Sequence, residues 1–315
     1  MKKVCIVGYG AIGPIHAAAI SKVEHAKLYA VCDIDEERIE KCCKEYSVIT
    51  YSEFDEMLSD ENIDCVHICT PHHLHFEMIK KALRAGKEVV CEKPVTRTQE
   101  EFDELLQLEN VSRVCVLFQN RYNPCIIKLK EIIESNEHGQ IKAVKGIVTW
   151  NRTMDYYNTD AWRGKWDTEG GGVLINQSVH TLDYFSYLIG DIKSIQARRA
   201  NFSLKEIEVE DTFMAHFLFE NDVPGVFFAT NSYGITAPPE FEVVMEKATL
   251  RYIDKKLYCN GNVIEEDSTP ALGKYYWGRG HEIAIKNYYD LQKFFNPYDV
   301  RGTMNTMFAM YRDSV

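Results

Sequence analysis

The segment Val4-Cys5-Ile6-Val7-Gly8-Tyr9-Gly10-Ala11-Ile12-Gly13-Pro14 decides how the first half of the chain folds. Four apolar residues typical of a β-strand lead into the pattern G-x-G-x-x-G, and Pro14 stands where a helix begins. The first glycine allows a tight turn, the second lets the backbone approach a pyrophosphate, and the third lets the helix pack on the strand. The helix N-terminus supplies free N–H donors for phosphates. The predicted dinucleotide-binding residues are Gly8, Gly10, Ala11, Ile12 and Gly13.

An acidic residue follows the second predicted strand, Leu28 to Cys32. Asp33 lies at the distance from the glycines at which a carboxylate accepts hydrogen bonds from the adenosine ribose. It would repel a 2′-phosphate, and three further acids in the next four residues add to that repulsion. NAD is therefore favoured over NADP. Arg38 is the nearest cation, and either contact with the adenine or an ion pair with a neighbouring acid fits it.

Short β-prone runs alternate with helical patterns through the first 120 residues, which predicts a parallel, doubly wound Rossmann sheet. We predict an NAD-binding domain over residues 1–120. Its strands are expected at Val4–Val7, Leu28–Cys32, Ile49–Tyr51, Cys65–Cys69, Glu88–Cys91 and Val114–Phe118.

The tetrapeptide Cys91-Glu92-Lys93-Pro94 ends the fifth of these strands. A Glu-Lys pair at the carboxyl end of a strand lies where α/β sheets bind ligands. We therefore predict that Lys93 transfers a proton, with Glu92 orienting Lys93 or the cofactor ribose. The alternative is a solvated charge pair at a strand end, since most Lys and Glu side chains are at the surface.

Composition and charge exclude several classes of protein. The 315 residues carry 36 Lys and Arg against 47 Asp and Glu, so the net charge is −11 and nucleic acid or an anionic membrane is a poor partner. No apolar run approaches the roughly 20 residues that span a bilayer. Ten cysteines, several in strand-like runs and none in a C-x-x-C pair, suit a reducing, cytoplasmic location. His72, His73 and His75 could suggest a metal site. The side chains of the neighbours His72 and His73 diverge, however, and nothing nearby supplies a third soft ligand, so no metal site is expected.

The second half has a different pattern. Strand follows strand with few helices between, which predicts an α+β domain over residues 121–315 with a large, open, mostly antiparallel sheet. Such a face often serves dimerisation, so a homodimer or homotetramer is expected. The crossover is expected at Arg121 to Pro124. The predicted strands are Ala143–Asn151, Ile192–Asn201, Thr212–Phe219, Gly225–Ser232 and Glu240–Met245.

A helical pattern after the glycine run 170–172 carries polar residues on one stripe. Asn176, His180 and Asp183 stand at i, i+4 and i+7, and such a stripe must face water, a partner or a ligand. The alternative is a capped helix with a satisfied histidine. The three glycines favour close approach to another group. Two amphipathic patterns, His281 to Phe295 and Gly302 to Tyr311, are both expected to pack on the first domain.

Taken together, Gly8-x-Gly10-x-x-Gly13, Asp33, Thr70-Pro71-x-x-x-His75 and Glu92-Lys93-Pro94 resemble the glucose–fructose oxidoreductase / inositol dehydrogenase (Gfo/Idh/MocA) family. The resemblance implies that Lys93 lies beside the nicotinamide ribose and the substrate hydroxyl, and that Thr70 and Pro71 line that ribose. His75 belongs to the same motif and is predicted to bind the cofactor.

The resemblance extends to the second domain. The run from Gly170 to Asp183 resembles the family's glycine-rich loop and active-site helix, with Asn176 where many relatives have Asp. Asn cannot take a proton, so acid–base work falls on Lys93 assisted by His180. The Asn-Gln pair before His180 resembles a subgroup that includes nucleotide-sugar 3-dehydrogenases. The predicted substrate-binding residues are Arg121, Tyr156, Trp162, Arg163, Asn176 and Asp183. For Trp162-Arg163, aromatic packing with a salt bridge is an equal alternative.

These patterns lead to one main hypothesis and two rivals. The first is an NAD-dependent dehydrogenase that oxidises a secondary hydroxyl of a sugar, sugar derivative or polyol. The others are a non-catalytic NAD or sugar sensor and an NAD-dependent glycosidase. A panel of sugars that produces NADH separates the first from both.

Overall fold

The computed structural model describes residues 1–268 and 278–314. It divides into two compact units: Met1–Gln119 with Ala271–Val300, and Asn120–Pro270 with Arg301–Val315. The sequence predicts one boundary, between residues 120 and 121. The structure has a division next to that point, and in addition a later segment returns to the first unit.

The described residues form fourteen strands and eleven α-helices. The strands are β1 Lys2–Val7, β2 Ala26–Cys32, β3 Ile49–Tyr51, β4 Cys65–Ile68, β5 Glu88–Glu92, β6 Val114–Leu117, β7 Ile141–Thr149, β8 Ile192–Ala200, β9 Thr212–Phe219, β10 Pro224–Thr230, β11 Glu240–Met245, β12 Thr249–Ile253, β13 Lys256–Cys259 and β14 Asn262–Glu266. The helices are α1 Gly13–Ile20, α2 Glu36–Glu45, α3 Phe54–Leu58, α4 His72–Arg84, α5 Gln99–Gln107, α6 Pro124–Ser135, α7 Met154–Asn158, α8 Trp166–Glu169, α9 Val179–Tyr184, α10 Gly280–Lys286 and α11 Arg301–Asp313. Wider π-type turns lie at Val173–Gln177, Phe185–Ile189 and Asn287–Leu291, and 3₁₀ turns at Val111–Arg113 and Gln119–Tyr122.

The first unit is built on a parallel sheet in the order β3-β2-β1-β4-β5-β6. The central strand β4 and the edge strand β6 are both buried along their whole length, as expected of a sheet covered on both faces. The strand order reverses between β1 and β4, and ligands of such sheets bind outside the carboxyl ends of the strands at that point. The predicted doubly wound Rossmann sheet is confirmed.

The late segment of the first unit packs α10 against α1. Tyr288 and Tyr289 are buried in the turn that follows α10, and the backbone N–H of Val116 in β6 donates to the carbonyl oxygen of Phe295. The pattern Gly302 to Tyr311 was also predicted to pack on the first domain, and this prediction is wrong. α11 packs on β8 and α9 inside the second unit, because its apolar face of Met304, Met307 and Met310 is buried there.

The second unit contains one sheet in the order β14-β13-β12-β11-β7-β10-β9-β8. All its neighbouring strands are antiparallel except β7 and β10, which confirms the predicted mostly antiparallel sheet. The sequence reading missed β12 to β14. Two-residue turns with positive φ at Asp254-Lys255 and Asn260-Gly261 connect them, and Asn-Gly is a strong hairpin signal.

The helical pattern after the glycine run is not one continuous helix. A π-type turn, then α9, then a second π-type turn follow one another, with Ser178 between the first two. A π turn shifts the angular position of every later side chain. The regular spacing predicted for the stripe is therefore broken between Asn176 and the two residues of α9, His180 and Asp183. Asn176 and His180 are half-buried, whereas Asp183 is buried beside Arg121.

No helix in the described ranges is long and apolar enough to cross a membrane.

Candidate active site and the buried polar clusters

The carboxyl edge of the parallel sheet collects the predicted cofactor residues. The glycine turn follows β1, Asp33 follows β2, Thr70-Pro71 follows β4, and Glu92 ends β5. Parallel strands bring these loops to one edge of the first unit. Gly8 has φ +88°, and a Cβ there would lie 2.8 Å from the carbonyl of Cys69, so the loops after β1 and β4 touch. This edge is the candidate dinucleotide site.

Asp33 supports the glycine turn. It is buried, and its carboxylate accepts backbone N–H groups from Tyr9 at 2.6 Å and from Asp35 at 3.0 Å. Arg38 pairs through Nε with Asp35 at 3.2 Å and reaches Asp33 at 4.0 Å. Of the two interpretations left open for Arg38, the ion pair is present. Its contact with a cofactor stays a prediction.

His75 holds two loops of the edge together. Its Nδ1 lies 2.7 Å from the carbonyl oxygen of Pro94, and its Nε2 lies 2.8 Å from that of Thr70. The ring is fully buried, and burial lowers its pKa. The predicted contact of His75 with the cofactor stays a prediction. His75 positions the backbone on either side of the candidate nicotinamide end.

Glu92 is the centre of a buried cluster that the sequence reading missed. His16 Nε2 and His281 Nε2 each lie 3.1 Å from Glu92 Oε1. Burial alone would raise the pKa of Glu92, but the hydrogen bonds from these histidines outweigh it and hold the pKa well below its ordinary value. Glu92 is therefore an ionised carboxylate beside Lys93.

The same cluster continues to Tyr289. His16 Nδ1 lies 2.8 Å from His67 Nδ1, and His67 Nε2 lies 2.7 Å from the Tyr289 hydroxyl. Burial lowers the pKa of both histidines, so each ring is neutral and carries one N–H. The only consistent assignment is Tyr289 O–H to His67, His67 N–H to His16, and His16 N–H to Glu92. Every donor in this chain points toward Glu92.

His16, Glu92 and His281 are also the one group of three His, Cys, Asp or Glu residues within the described ranges that could hold a metal ion. Their ligand atoms lie within 4.8 Å of one another. The described contacts join these three residues to one another and, through His16 Nδ1, to His67.

Lys93 follows Glu92 at the candidate nicotinamide end. Its side chain is half-buried, and its backbone N–H donates to Glu92 Oε2 at 3.3 Å. Glu92 thus fixes the backbone from which Lys93 extends. Both chain neighbours of Lys93 are hydrogen-bonded to buried histidines: the Glu92 carboxylate to His16, and the Pro94 carbonyl oxygen to His75.

In the second unit, Asn176 is bound to a carboxyl group. Its Nδ2 donates to Glu169 Oε1 at 2.6 Å, and the Gly164 backbone N–H donates to Glu169 Oε2 at 2.5 Å. Glu169 is fully buried, and burial raises its pKa to about 7 against the lowering effect of those hydrogen bonds. Asn176 cannot itself take a proton, but it touches a group that can.

The glycine run before Asn176 approaches the chain's own backbone. A Cβ on Gly172 would collide with the carbonyl oxygen of Glu210, which also accepts the N–H of Val173 at 3.1 Å. The Glu210 carboxyl accepts from the backbone N–H groups of Gly172 and Leu174. The close approach expected from these glycines is therefore made by an internal strand connection.

Tyr156, Trp162 and Arg163 lie together. Arg163 donates to the Tyr156 hydroxyl at 2.7 Å, stacks 4.5 Å from the Trp162 ring centre and pairs with Asp160 at 3.2 Å. Gln177 Nε2 also donates to the Tyr156 hydroxyl, at 3.0 Å. Aromatic packing with a salt bridge is thus present. The predicted role of these residues in substrate binding stays a prediction.

Arg121 and Asp183 form a buried ion pair. Arg121 Nε and Nη2 donate to the two carboxylate oxygens at 2.8 and 2.7 Å, and Thr303 adds a hydrogen bond at 2.6 Å. Arg121 is 3% exposed and Asp183 1% exposed. The two residues bind each other inside the unit, and the predicted contact of each with substrate stays a prediction.

A parallel sheet of this strand order, with a glycine turn at its switch point and Glu92-Lys93 at the same edge, is typical of dinucleotide-binding proteins. Residues 2–120 match the family model "Oxidoreductase family, NAD-binding Rossmann fold", and residues 126–251 match the "GFO/IDH/MocA C-terminal domain". The chain belongs to the GFO/IDH/MocA oxidoreductase family.

Its relatives include two from Bacillus subtilis. The uncharacterized oxidoreductase YrbE is 33% identical over 70% of this chain and 64% of its own length. The NAD(+)-dependent scyllo-inositol 2-dehydrogenase is 32% identical over 59% of this chain and 53% of its own. The aligned part of this chain therefore covers less than two thirds of either relative.

Solved structures match over nearly the whole chain. The WlbA dehydrogenase from Bordetella pertussis, in complex with NADH and UDP-GlcNAcA, has a TM-score of 0.89 at 25% identity. The match covers 99% of this chain and 95% of that one. A levoglucosan dehydrogenase in complex with NADH shares the fold, with a TM-score of 0.85 at 21% identity.

Proposed function

We propose that this protein oxidises a secondary hydroxyl of a sugar, sugar derivative or polyol, with NAD⁺ as the hydride acceptor. The observation that carries the proposal is the position of Lys93 directly after an ionised Glu92 at the carboxyl edge of the Rossmann sheet. The family and its inositol and levoglucosan dehydrogenases support the same reaction class.

In the proposed reaction, hydride leaves the carbinol carbon for the nicotinamide and Lys93 accepts the hydroxyl proton. Asn176 is proposed to position the substrate by hydrogen bonds, and His180 to assist the proton transfer. NAD⁺ is proposed over NADP⁺ because Asp33 and its acidic neighbours would repel a 2′-phosphate.

A nucleotide sugar is the proposed substrate class. The Asn-Gln pair before His180 supports it, and so does the match over 99% of the chain to the WlbA dehydrogenase solved with UDP-GlcNAcA. A free polyol is the alternative, because the inositol dehydrogenases are relatives as well.

The test is NADH formation, followed by absorbance, with UDP-GlcNAcA, UDP-GlcNAc, myo-inositol, scyllo-inositol and levoglucosan. Lys93→Ala is expected to abolish turnover while calorimetry still detects NAD⁺ binding. Lys27→Ala, a change at an exposed lysine on β2, is the matched control and should be neutral. Turnover of Lys93→Ala at the wild-type rate would contradict the role of Lys93. A panel without NADH formation but with NAD⁺ binding would favour the sensor.

We also propose that the open face of the second sheet joins two copies of the chain. Met214 on β9 and Val226 on β10 are 42% and 54% exposed, and both stand on the outer face of paired strands. Light scattering of the wild type and of Met214→Glu/Val226→Glu tests this. A wild-type monomer would contradict it.

A further inference from the structure

Arg152 lies against two aromatic rings just after β7. Its guanidinium carbon is 4.8 Å from the ring centre of Trp150 and 5.1 Å from that of Tyr156. Cation–π contact with two rings holds the guanidinium in place. The backbone is fixed as well, because the Arg152 N–H donates to the carbonyl oxygen of Asn231 at 2.8 Å. The proposed reaction gives this well-held cation no function.

The guanidinium of Arg152 is not satisfied by the chain itself. Its Nε atom is buried and has no hydrogen-bond partner within the described ranges. In the same ranges no carboxylate lies within ion-pair distance of Arg152, although the chain has 47 Asp and Glu residues. Buried polar atoms are normally hydrogen-bonded, and a charged donor without an acceptor is costly. A ligand that brings an acceptor would supply what the chain does not.

A second guanidinium contacts the same tyrosine. Arg163 is 4.6 Å from the Tyr156 ring centre, donates to its hydroxyl oxygen at 2.7 Å and has a side chain that is 13% exposed. Asp160 pairs with Arg163 at 3.2 Å, and the buried Glu169 also attracts it. Both acids act on Arg163, so the charge of Arg152 stays unbalanced beside it. Two like charges on one ring favour an anion as the ligand.

Gln177 joins these arginines to the residue that the proposed reaction uses. It directly follows Asn176, and its Nε2 donates to the Tyr156 hydroxyl oxygen at 3.0 Å. Its Oε1 accepts from Asn231 Nδ2 at 3.1 Å, and Asn231 also accepts the backbone N–H of Arg152. All these residues belong to the second unit. The two arginines are therefore tied to the segment that carries Asn176.

We propose that Arg152 and Arg163, both supported by Tyr156, form a subsite for an oxyanion carried by the substrate. Guanidinium groups bind carboxylates and phosphates through paired N–H donors. The inference rests on the proposed function and narrows its substrate class to negatively charged sugar derivatives. A carboxylate on the sugar and a phosphate on its anomeric carbon share this chemistry, and the experiments below distinguish them.

The first experiment measures binding without turnover, by calorimetric titration of the NADH-loaded protein. NADH cannot accept a hydride, so UDP-GlcNAcA binds without being oxidised. Arg152→Gln removes the charge and should weaken this binding about tenfold to a hundredfold, the loss typical of a hydrogen bond to a charged group. Arg84→Gln, at an exposed arginine of α4, is the matched control and should bind like the wild type.

Three further compounds identify the anion. UDP-GlcNAc keeps the diphosphate and lacks the carboxylate, glucuronate has the carboxylate alone, and myo-inositol is uncharged. If the subsite takes a carboxylate, Arg152→Gln weakens UDP-GlcNAcA and glucuronate and spares UDP-GlcNAc. If it takes a phosphate, the variant weakens both UDP compounds alike and spares glucuronate.

Several outcomes overturn the proposal. One is unchanged binding of every charged compound by Arg152→Gln, and another is a wild-type protein that binds none of them. An equal loss for myo-inositol and the charged compounds would show that Arg152 only supports the surrounding fold. Arg152→Lys keeps the charge without the paired donors, so its affinity should fall between those of Arg152→Gln and the wild type. If Arg152→Gln does not fold, wild-type affinity of Arg152→Lys for every charged compound overturns the proposal.

The second experiment separates this subsite from the proposed reaction. It measures KM for whichever charged compound forms NADH, in the wild type and in Arg152→Gln. A KM that is the same in both contradicts the subsite and leaves the dehydrogenase intact. Conversely, charged compounds that bind through Arg152 without forming NADH contradict the dehydrogenase and leave the subsite intact.

Discussion

Glu92 in the first unit and Glu169 in the second are both buried glutamates that accept two or more hydrogen bonds, yet their pKa values move in opposite directions. Glu92 receives its hydrogen bonds from two imidazole rings, His16 and His281. Glu169 receives its hydrogen bonds from one amide and one backbone N–H, and Glu210 repels its charge. Burial is common to both, so the donors decide which carboxyl stays ionised.

The difference separates two kinds of polar cluster in one chain. The cluster around Glu92 keeps a permanent negative charge next to Lys93 and stays constant through the physiological pH range. The cluster around Glu169 changes its charge within that range. The first suits holding the backbone of Lys93 in place, and the second can exchange a proton near neutral pH.

The largest effect on stability is expected where the buried Asp183 loses the cation it is paired with, Arg121. Arg121→Met should lower the free energy of unfolding by about 3–5 kcal/mol, because Asp183 is 1% exposed and would be left as an unpaired buried charge. Chemical denaturation followed by tryptophan fluorescence measures this, since Trp150, Trp162 and Trp166 lie in the same unit.

Two controls accompany Arg121→Met. Lys193→Met, which breaks an exposed pair with Asp222, should cost less than about 1 kcal/mol. Arg121→Met/Asp183→Leu should recover much of the loss, because neither charge then remains buried. If Arg121→Met alone is as stable as the wild type, Asp183 finds another partner when Arg121 is removed.

The next effect is the contribution of Glu169 to the dependence of stability on pH. Its folded-state pKa, about 7, lies above the ordinary value of 4.5. The folded state therefore binds more protons than the unfolded state between these values, and the contribution of Glu169 to stability falls as pH rises through them. The loss amounts to at most about 3 kcal/mol, complete above pH 7.

Glu169→Gln isolates this effect, because the histidines contribute equally to variant and wild type. The difference in unfolding free energy, variant minus wild type, should rise from pH 5 to pH 8 and then level off. Thermal denaturation in matched buffers follows it. A difference that is flat with pH would mean that Glu169 is ionised throughout, as Glu92 is.

Glu92→Gln tests the other half of the comparison, with a smaller expected effect. The change removes the charge that receives the His16 and His281 hydrogen bonds, and such bonds contribute about 1.5–3 kcal/mol. Because the pKa of Glu92 lies well below its ordinary value, the stability loss in Glu92→Gln should stay constant from pH 6 to pH 8, whereas the stability of Glu169→Gln relative to the wild type should rise over that range. The same pH profile for both variants would refute the distinction between these clusters.

The sequence predicted the first unit better than the second for a physical reason. The glycine turn, Asp33 and Glu92-Lys93 are local patterns, each set by the few residues around a strand end. His281 and Glu92 are 189 positions apart, and no local pattern joins them. The chain reversal that returns α10 to α1 has to be known before the cluster can be seen.

Two errors in the second unit have local causes. Asn176, His180 and Asp183 were placed on one stripe by assuming 3.6 residues per turn, and the π-type turn at Val173–Gln177 breaks that period between Asn176 and the other two. Glu169 carried a weaker signal: it directly precedes the glycine run and lies seven residues before Asn176. Only the burial of its carboxyl distinguishes it from a surface residue.

The smallest effect on stability is expected at a glycine whose neighbourhood is open. Among the described residues, the nearest atom to a Cβ on Gly10 would be Nη1 of the flexible Arg38 side chain, at 3.6 Å. Gly10→Ala should therefore change the free energy of unfolding by less than about 0.5 kcal/mol. It should nevertheless weaken NAD⁺ binding strongly, because the methyl group occupies space that the pyrophosphate needs.

Gly172→Ala in the second unit is the matched comparison. There a methyl group would collide with the carbonyl oxygen of Glu210, so protein stability should fall. Calorimetric titration with NAD⁺ and denaturation of both variants measure the two properties side by side. If Gly10→Ala binds NAD⁺ like the wild type, the glycine turn does not approach the pyrophosphate. The two glycine runs would then both serve packing within the chain, and the candidate dinucleotide site would have to lie elsewhere.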